Sequence, residues 1–316
     1  MMTGRLLSTE AEDHIQPLET DLVQIVQNWQ QDALTDMSSL LQAVYAPWGG
    51  GKTWLLQRWQ KRWGGVLLDL KEDNRTAVAR IREMQTKLAN APEKRILYLD
   101  NVPNVEDELT NEFEEEILRA ELASGNLVMQ ALRQRDQVCW GGAIPKPHAR
   151  FIPPLSPEGA QAVRRKFGLV SSFDTTETML FSEKETLPGL VQAWCEGRNR
   201  RQRDADTLRN YLQGWWQQSG QNVPQNFSTQ LLPLAALACR NTFDPRTMLA
   251  TLSDLQKNAL SQNSISFSEN GLPFRLKMKG LGWMQTDGGW YLPIQTVLKT
   301  WLALSKPNVY SSLTSH

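Results

Sequence analysis

Apolar and polar positions follow two rhythms along this 316-residue chain, and each change of rhythm marks an element. After a polar arm over residues 1–17, apolar residues return at helical spacing between Leu18 and Leu41. Leu22, Val23, Ile25, Val26 and Trp29 come first, then Leu34, Met37 and Leu40, predicting one or two helices. The run Leu41 to Tyr45 predicts a first strand, and Lys52 to Trp63 a helix stopped by Gly64-Gly65. Val66-Leu67-Leu68-Asp69-Leu70 predicts a second strand. Arg75 to Leu88, with Val78, Ile81, Met84 and Leu88 on one face, predicts another helix. Arg95-Ile96-Leu97-Tyr98-Leu99-Asp100-Asn101 is a near-continuous apolar strand that ends in an acid. The acid-rich stretch from Glu106 to Glu116 predicts a helix with a solvated face. Leu127 to Leu132 gives a fourth strand, and Arg150-Phe151-Ile152 a fifth. Strands alternating with helices point to an α/β fold with a parallel five-stranded sheet and helices on both faces.

Past Pro153-Pro154 the texture becomes helical. Ser156 can cap a helix with Pro157 at its first position, running to about Phe167, and Leu187-Pro188-Gly189-Leu190 opens a further helical segment. Leu231 to Cys239 predicts a helix, and Asp244-Pro245 starts another that reaches Leu255. Trp283 to Thr286 and Gly289 to Leu292 flank Asp287-Gly288, a pair suited to a type I′ hairpin turn, and Pro293 leads into a closing helix. Helices, one small hairpin and a closing helix together suggest a winged-helix module.

Length allows two or three compact units, at roughly 100–200 residues each. Lys plus Arg equals Asp plus Glu at 34 each, so no overall charge demands nucleic acid or an anionic membrane as partner. Cys139, Cys195 and Cys239 are odd in number and far apart, which excludes a disulfide framework and fits a reducing, cytoplasmic setting. No window reaches the roughly 20 apolar residues of a membrane span. Of the 12 tryptophans, Trp54, Trp59, Trp63, Trp215, Trp216 and Trp301 fall on predicted helices and read as packing anchors. Arg198, Arg200, Arg201 and Arg203 form the one dense basic cluster, read as a solvated helix end.

The candidate chemistry lies where the first strand stops. Ala46-Pro47-Trp48-Gly49-Gly50-Gly51-Lys52-Thr53 has the strand-to-helix context and the Gly-Lys-Thr ending of a phosphate-binding loop, with Ala46 where that pattern has its first glycine. Glycines let successive N–H groups face phosphate oxygens, Lys52 adds a cation, and Thr53 offers a hydroxyl to Mg2+. The helix dipole favours the same anion. Pro47, Trp48, Gly49, Gly50, Gly51, Lys52, Thr53 and Trp54 are therefore the candidate nucleotide contacts. Asp100 is the candidate Walker B acid, since a carboxylate ending a buried strand needs a cation or a partner.

These pieces, in this order, resemble the STAND class of signalling ATPases, relatives of the AAA+ and origin-recognition ATPases, over roughly residues 18–305. The passage Phe151-Ile152-Pro153-Pro154-Leu155-Ser156-Pro157-Glu158 and the Pro188 segment belong to the resemblance. It implies a P-loop NTPase core over 18–155, a helical lid over 156–220 and a winged-helix domain over 221–316, with sheet order 5-1-4-3-2. It implies ATP or ADP with Mg2+ as cofactors, phosphates wrapped by Gly49, Gly50 and Gly51, Lys52 on the β and γ groups, and the metal held by Thr53 and Asp100. Arg133 would be the first-sensor arginine near the γ-phosphate, with Arg135 its substitute, and Pro188 would lie near the adenine. Trp48 ahead of the glycines is also similar to KAP-type ATPases, whose membrane spans this chain lacks.

Asn101 stands where many AAA+ enzymes carry a glutamate that orients the attacking water, which implies slow turnover. Three readings follow. The first is an ATP-dependent switch in which nucleotide clamps lid and winged helix onto the core. Partner proteins would then supply the sensor and effector functions for which the chain has no room, with homo-oligomer formation open. The second is a DNA-binding ATPase using the winged helix, motivated by Arg275, Lys277 and Lys279. The third is a scaffold that holds nucleotide without hydrolysing it.

Overall fold

The structure, a computed structural model, describes residues 15–71, 75–103, 108–135, 137–181, 186–218, 222–267, 282–285 and 288–315. The described chain divides into two compact units, residues 15–153 and 154–315.

In the first unit, helices α1 (Gln16–Gln30) and α2 (Met37–Leu40) lead into β1 (Leu41–Tyr45). Then come α3 (Lys52–Trp63), β2 (Val66–Asp69), α4 (Ala77–Ala89) and β3 (Ile96–Asp100). The acidic stretch follows as α5 (Glu108–Phe113), a π-helical turn (Glu114–Leu118) and α6 (Arg119–Ala123), before β4 (Leu127–Leu132) and β5 (His148–Phe151). The five strands form one sheet in the order β2-β3-β4-β1-β5, every neighbouring pair parallel, flanked by helices. Numbered from the β5 edge this is 5-1-4-3-2. The inner strands are buried on both faces: all of β3 and β4, and all of β1 except half-buried Tyr45. That is why they read as near-continuous apolar runs. The edge strands β2 and β5 are short and more exposed. Parallel pairing also brings all strand C-termini to one end, so the residues after Tyr45, Asp69, Asp100 and Leu132 share one rim of the sheet.

Two expectations change here. The fifth strand begins earlier than Arg150 because His148 to Phe151 pair with Gln42 to Tyr45. The acidic stretch is more than a solvated face, since Glu114 and Glu121 are buried. Glu114 accepts from Arg119 Nη2 at 2.7 Å and from the Gly141 N–H at 2.5 Å. Glu121 takes two hydrogen bonds from the Arg95 guanidinium and a third from Asn126 Nδ2 at 2.9 Å. These partners come from elsewhere in the chain, and a charge run shows none of them. Glu106 and Asp107 lie outside the described residues.

The second unit is mainly helical: α7 (Pro157–Lys166), α8 (Thr175–Phe181), α9 (Pro188–Asn199), α10 (Asp204–Gln218), α11 (Phe227–Cys239), α12 (Pro245–Thr251), α13 (Asp254–Gln262), α14 (Leu292–Ser305) and α15 (Pro307–Thr314). Ser156 caps α7 as predicted, accepting from the Gly159 N–H at 3.1 Å. The helix expected from Pro245 to Leu255 instead breaks at Leu252, because Ser253 and Gln256 bond reciprocally as a capping box that starts α13. Met284 and Trp290 form an antiparallel bridge. Thr286 and Asp287, with the turn expected there, lie outside the described residues, as do Arg275, Lys277, Lys279 and residues 1–14. Trp59, Trp194, Trp215, Trp216 and Trp301 are buried packing residues, while Trp54 and Trp63 are half-buried.

The cysteines are free, and burial pushes each thiol up to about 12, so none is a reactive thiolate. Among the described residues no helix is long and apolar enough to cross a membrane.

Candidate functional site

β1 delivers the chain to Ala46 and α3 starts at Lys52, so six residues must reverse from strand to helix. Pro47 begins the turn, closed by the Gly50 N–H on the Pro47 carbonyl at 3.1 Å. Gly49 and Gly51 have φ of 79° and 86°, in the left-handed region that side chains other than glycine resist. Gly50 is required for space, because a Cβ there would lie 2.5 Å from the Ala46 Cβ. Gly51 caps α3 with no side-chain acceptor, so the first N–H groups of the helix open on the loop.

Lys52 folds back over this turn. Its Nζ donates to the carbonyls of Ala46 at 2.7 Å and Pro47 at 3.0 Å. Burial pushes its pKa down to about 8; the charge of Asp100 opposes that shift and the charge of Arg133 adds to it. Asp100, 4 % exposed, ends β3 and accepts from the Thr53 hydroxyl and from the Asn101 N–H at 3.0 Å. Burial raises its pKa. The two hydrogen bonds oppose that rise, the neighbouring Asp69 carboxylate adds to it, and Lys52 opposes it. A cation and a carboxylate thus lie close enough to feel each other, and the pKa of each is shifted towards its neutral form.

Thr53 and Asp100 offer a hydroxyl and a carboxylate at one point, a donor set that fits a hard divalent ion such as Mg2+. Among the described residues no cluster of three or more His, Cys, Asp or Glu could hold a metal. The remaining ligands of such an ion would therefore be phosphate oxygens and water, the usual arrangement for Mg2+.

The other predicted residues divide by location. Arg133 is exposed and directly follows β4; its N–H donates to Gln137 Oε1 at 2.8 Å, and its charge reaches Lys52. Arg135 is exposed two residues further on. Trp48 is half-buried within the loop, and Trp54 is half-buried on α3 with the Arg58 guanidinium 5.5 Å above its ring. Pro188 belongs to the second unit, at the first position of α9. The group of Lys52, Thr53 and Asp100 forms within the first unit without it. In the basic cluster Arg198 pairs with Asp174 at 2.6 Å and Asp204 at 3.0 Å, and Arg200 with Glu196 at 3.5 Å.

Two residues at this rim were missed. Asp69 ends β2 opposite Asp100, and its Oδ1 accepts from Asn101 Nδ2 and from the Lys71 N–H, each at 2.9 Å. Its signal was the same as that of Asp100, an apolar strand ending in an acid. Gln137 ties the loop after β4 to β3, donating Nε2 to the Val102 carbonyl at 2.9 Å. Nothing in the sequence marks it.

Neither a family model nor a curated protein matches this chain.

Proposed function

We propose that the first unit is a P-loop core that binds ATP with Mg2+, and that the protein is a STAND-like molecular switch that hydrolyses slowly and couples nucleotide state to partner-protein binding. The observation that carries this reading is the meeting of Lys52, Thr53 and Asp100 at the mouth of a three-glycine turn. The Lys52 ammonium rests there on two neutral carbonyls, and phosphate oxygens are stronger acceptors for it. The glycine backbone and the start of α3 add N–H groups and a dipole to the same anion. Mg2+ on Thr53 and Asp100 would neutralise phosphate charge.

The state-dependent part of such a switch lies in contacts that only the γ-phosphate makes. Arg133, charged and at the end of β4, is the residue of this chain suited to make them. Residues 156–220 are read as a lid and 221–316 as a winged helix. The run of helices and the Met284–Trp290 bridge ahead of α14 support that reading. Partner proteins or further copies of the chain would receive the signal.

Asn101 favours slow chemistry. It has φ 53°, and its amide is already bonded to Asp69, so it brings no carboxylate to an attacking water. The same observation supports the third reading, a nucleotide-bound scaffold without hydrolysis.

Thermal unfolding with ATP, ADP and GTP, each with Mg2+, tests the proposal. A ligand at 100 times its Kd adds about 2.7 kcal/mol to the folded state. ATP should raise the midpoint of the wild-type protein more than that of Lys52→Ala, and no shift with any nucleotide would end the proposal. Phosphate release that Asp100→Ala removes selects the switch; saturable binding with no release selects the scaffold.

A further inference from the structure

The connection from β4 to β5 carries no helix among its described residues. It runs as a loop, and a cleft of about 820 Å3 opens there, lined by residues 135, 137–142 and 144–147, by Gln130 of β4 and by His148 to Arg150. That volume lies within the range of small-molecule pockets, roughly 300–1,000 Å3.

Its lining is one-sided in charge. Lys146, His148 and Arg150 recur at every second residue leading into and along β5, a spacing that strand alternation sends to one side, and Arg135 joins them from the loop. No Asp or Glu lines the cleft among the described residues, in a chain whose charges balance overall. Arg150 donates to Gln42 Oε1 at 2.7 Å and lies 3.7 Å from the exposed Asp21 carboxylate. Cys139, Trp140 and Ile144 contribute buried apolar surface.

Gln130, 1 % exposed, adds an independent sign. Its Oε1 accepts from Trp140 Nε1 at 2.8 Å, which fixes the amide orientation and leaves Nε2 with no acceptor. A buried donor without an acceptor is costly, and a ligand oxygen would supply one. Several cations with one amide donor suit a multiply charged oxyanion better than a single carboxylate.

We propose that this cleft binds a small organic phosphate, with the phosphate on Arg135, Lys146 and Arg150 and its apolar part over Trp140, Ile144 and Pro145. The site shares no lining residue with the loop Ala46–Thr53 and does not depend on that loop binding nucleotide. Gln137 lines the cleft while bonding both the Arg133 N–H and the Val102 carbonyl.

Calorimetric titration of AMP and of inorganic pyrophosphate into Lys52→Ala removes the loop's contribution. AMP should bind, more tightly than pyrophosphate, and adding Arg135→Ala and Lys146→Ala, both exposed positions, should weaken it at least about tenfold. In the protein with Lys52 intact, the Arg135→Ala/Lys146→Ala pair should likewise remove one AMP equivalent. Loss of all binding in a folded Lys52→Ala protein, or binding unmoved by the paired substitutions, overturns the proposal. AMP binding no tighter than pyrophosphate contradicts the role given to Trp140 and Ile144.

Discussion

Two places where a cation lies near a buried carboxylate are built in opposite ways. In the second unit Arg164 and Glu177 meet through two bonds, Nε to Oε1 at 3.1 Å and Nη2 to Oε2 at 2.7 Å. Arg164 Nη1 also reaches Gln161 and the Ser171 carbonyl, while Glu177 accepts from Trp194 Nε1 and the Asp174 N–H. In the first unit Lys52 rests on backbone carbonyls, and Asp100 on a hydroxyl and an N–H, with both pKa values driven away from the charged form. The saturated pair gains nothing from a ligand, so it belongs to the scaffold. At the unsaturated pair an anion and a cation would relieve both charges, which is the condition of a binding site.

The largest effect should come from breaking the saturated pair. Arg164→Met leaves Glu177 buried without its partner and should cost about 3–5 kcal/mol in chemical denaturation. Nucleotide affinity of the protein that remains folded should not change. Adding Glu177→Leu should return only part of the loss, because Trp194 Nε1 and the Asp174 N–H then lack their acceptor.

Next comes pH dependence at the unsaturated pair. Free Lys52 loses its proton near pH 8, whereas bound phosphate holds that proton, so binding takes up a proton above this pH. The Kd for ATP should rise with pH above about 8, approaching tenfold per unit, and Lys52→Arg should flatten the profile because guanidinium stays charged. For folding the sign is reversed. Between about 8 and the ordinary lysine value of 10.5 the unfolded chain binds more protons at Lys52, so this residue's contribution to stability rises with pH across that window. Urea midpoints at several pH values, compared between the wild-type protein and Lys52→Arg, measure this.

Asp100→Asn should separate stability from function more gently. The amide oxygen can still accept from Thr53 and Asn101 without the cost of a buried charge, so the ligand-free protein should gain about 0.5–2 kcal/mol. Mg2+ should no longer strengthen nucleotide binding; a titration that keeps its full Mg2+ dependence would take Asp100 out of the metal site. Smallest is Ser156→Ala, which removes the cap of α7 and should cost about 1 kcal/mol in the second unit with no effect on nucleotide affinity.

Legibility in the sequence followed locality. β1, the glycine turn and α3 could be read because strand, turn and helix signals adjoin over residues 41–63, and α3 begins and ends where the residues say, at Lys52 and Trp63. Asp100 was legible because an acid after four buried apolar residues is anomalous. Asp69 carried a similar signal on a shorter, less buried strand. The burial of Glu114 and the roles of Gln130 and Gln137 were not legible, since their partners lie 27, 10 and 35 residues away and only the folded sheet brings them together. The break at Leu252 was legible in principle from Ser253 and Gln256, but the longer apolar pattern masked it.

The account rests on the unsaturated pair being a grip for nucleotide phosphate, and calorimetric titration of ATP with Mg2+ into the wild-type and Lys52→Ala proteins side by side tests that most directly. Saturable binding at the loop in the wild-type protein, weakened at least about a hundredfold in Lys52→Ala while the ligand-free variant stays folded, is the predicted result. No binding to the wild-type protein, or equal affinity in both, would contradict it.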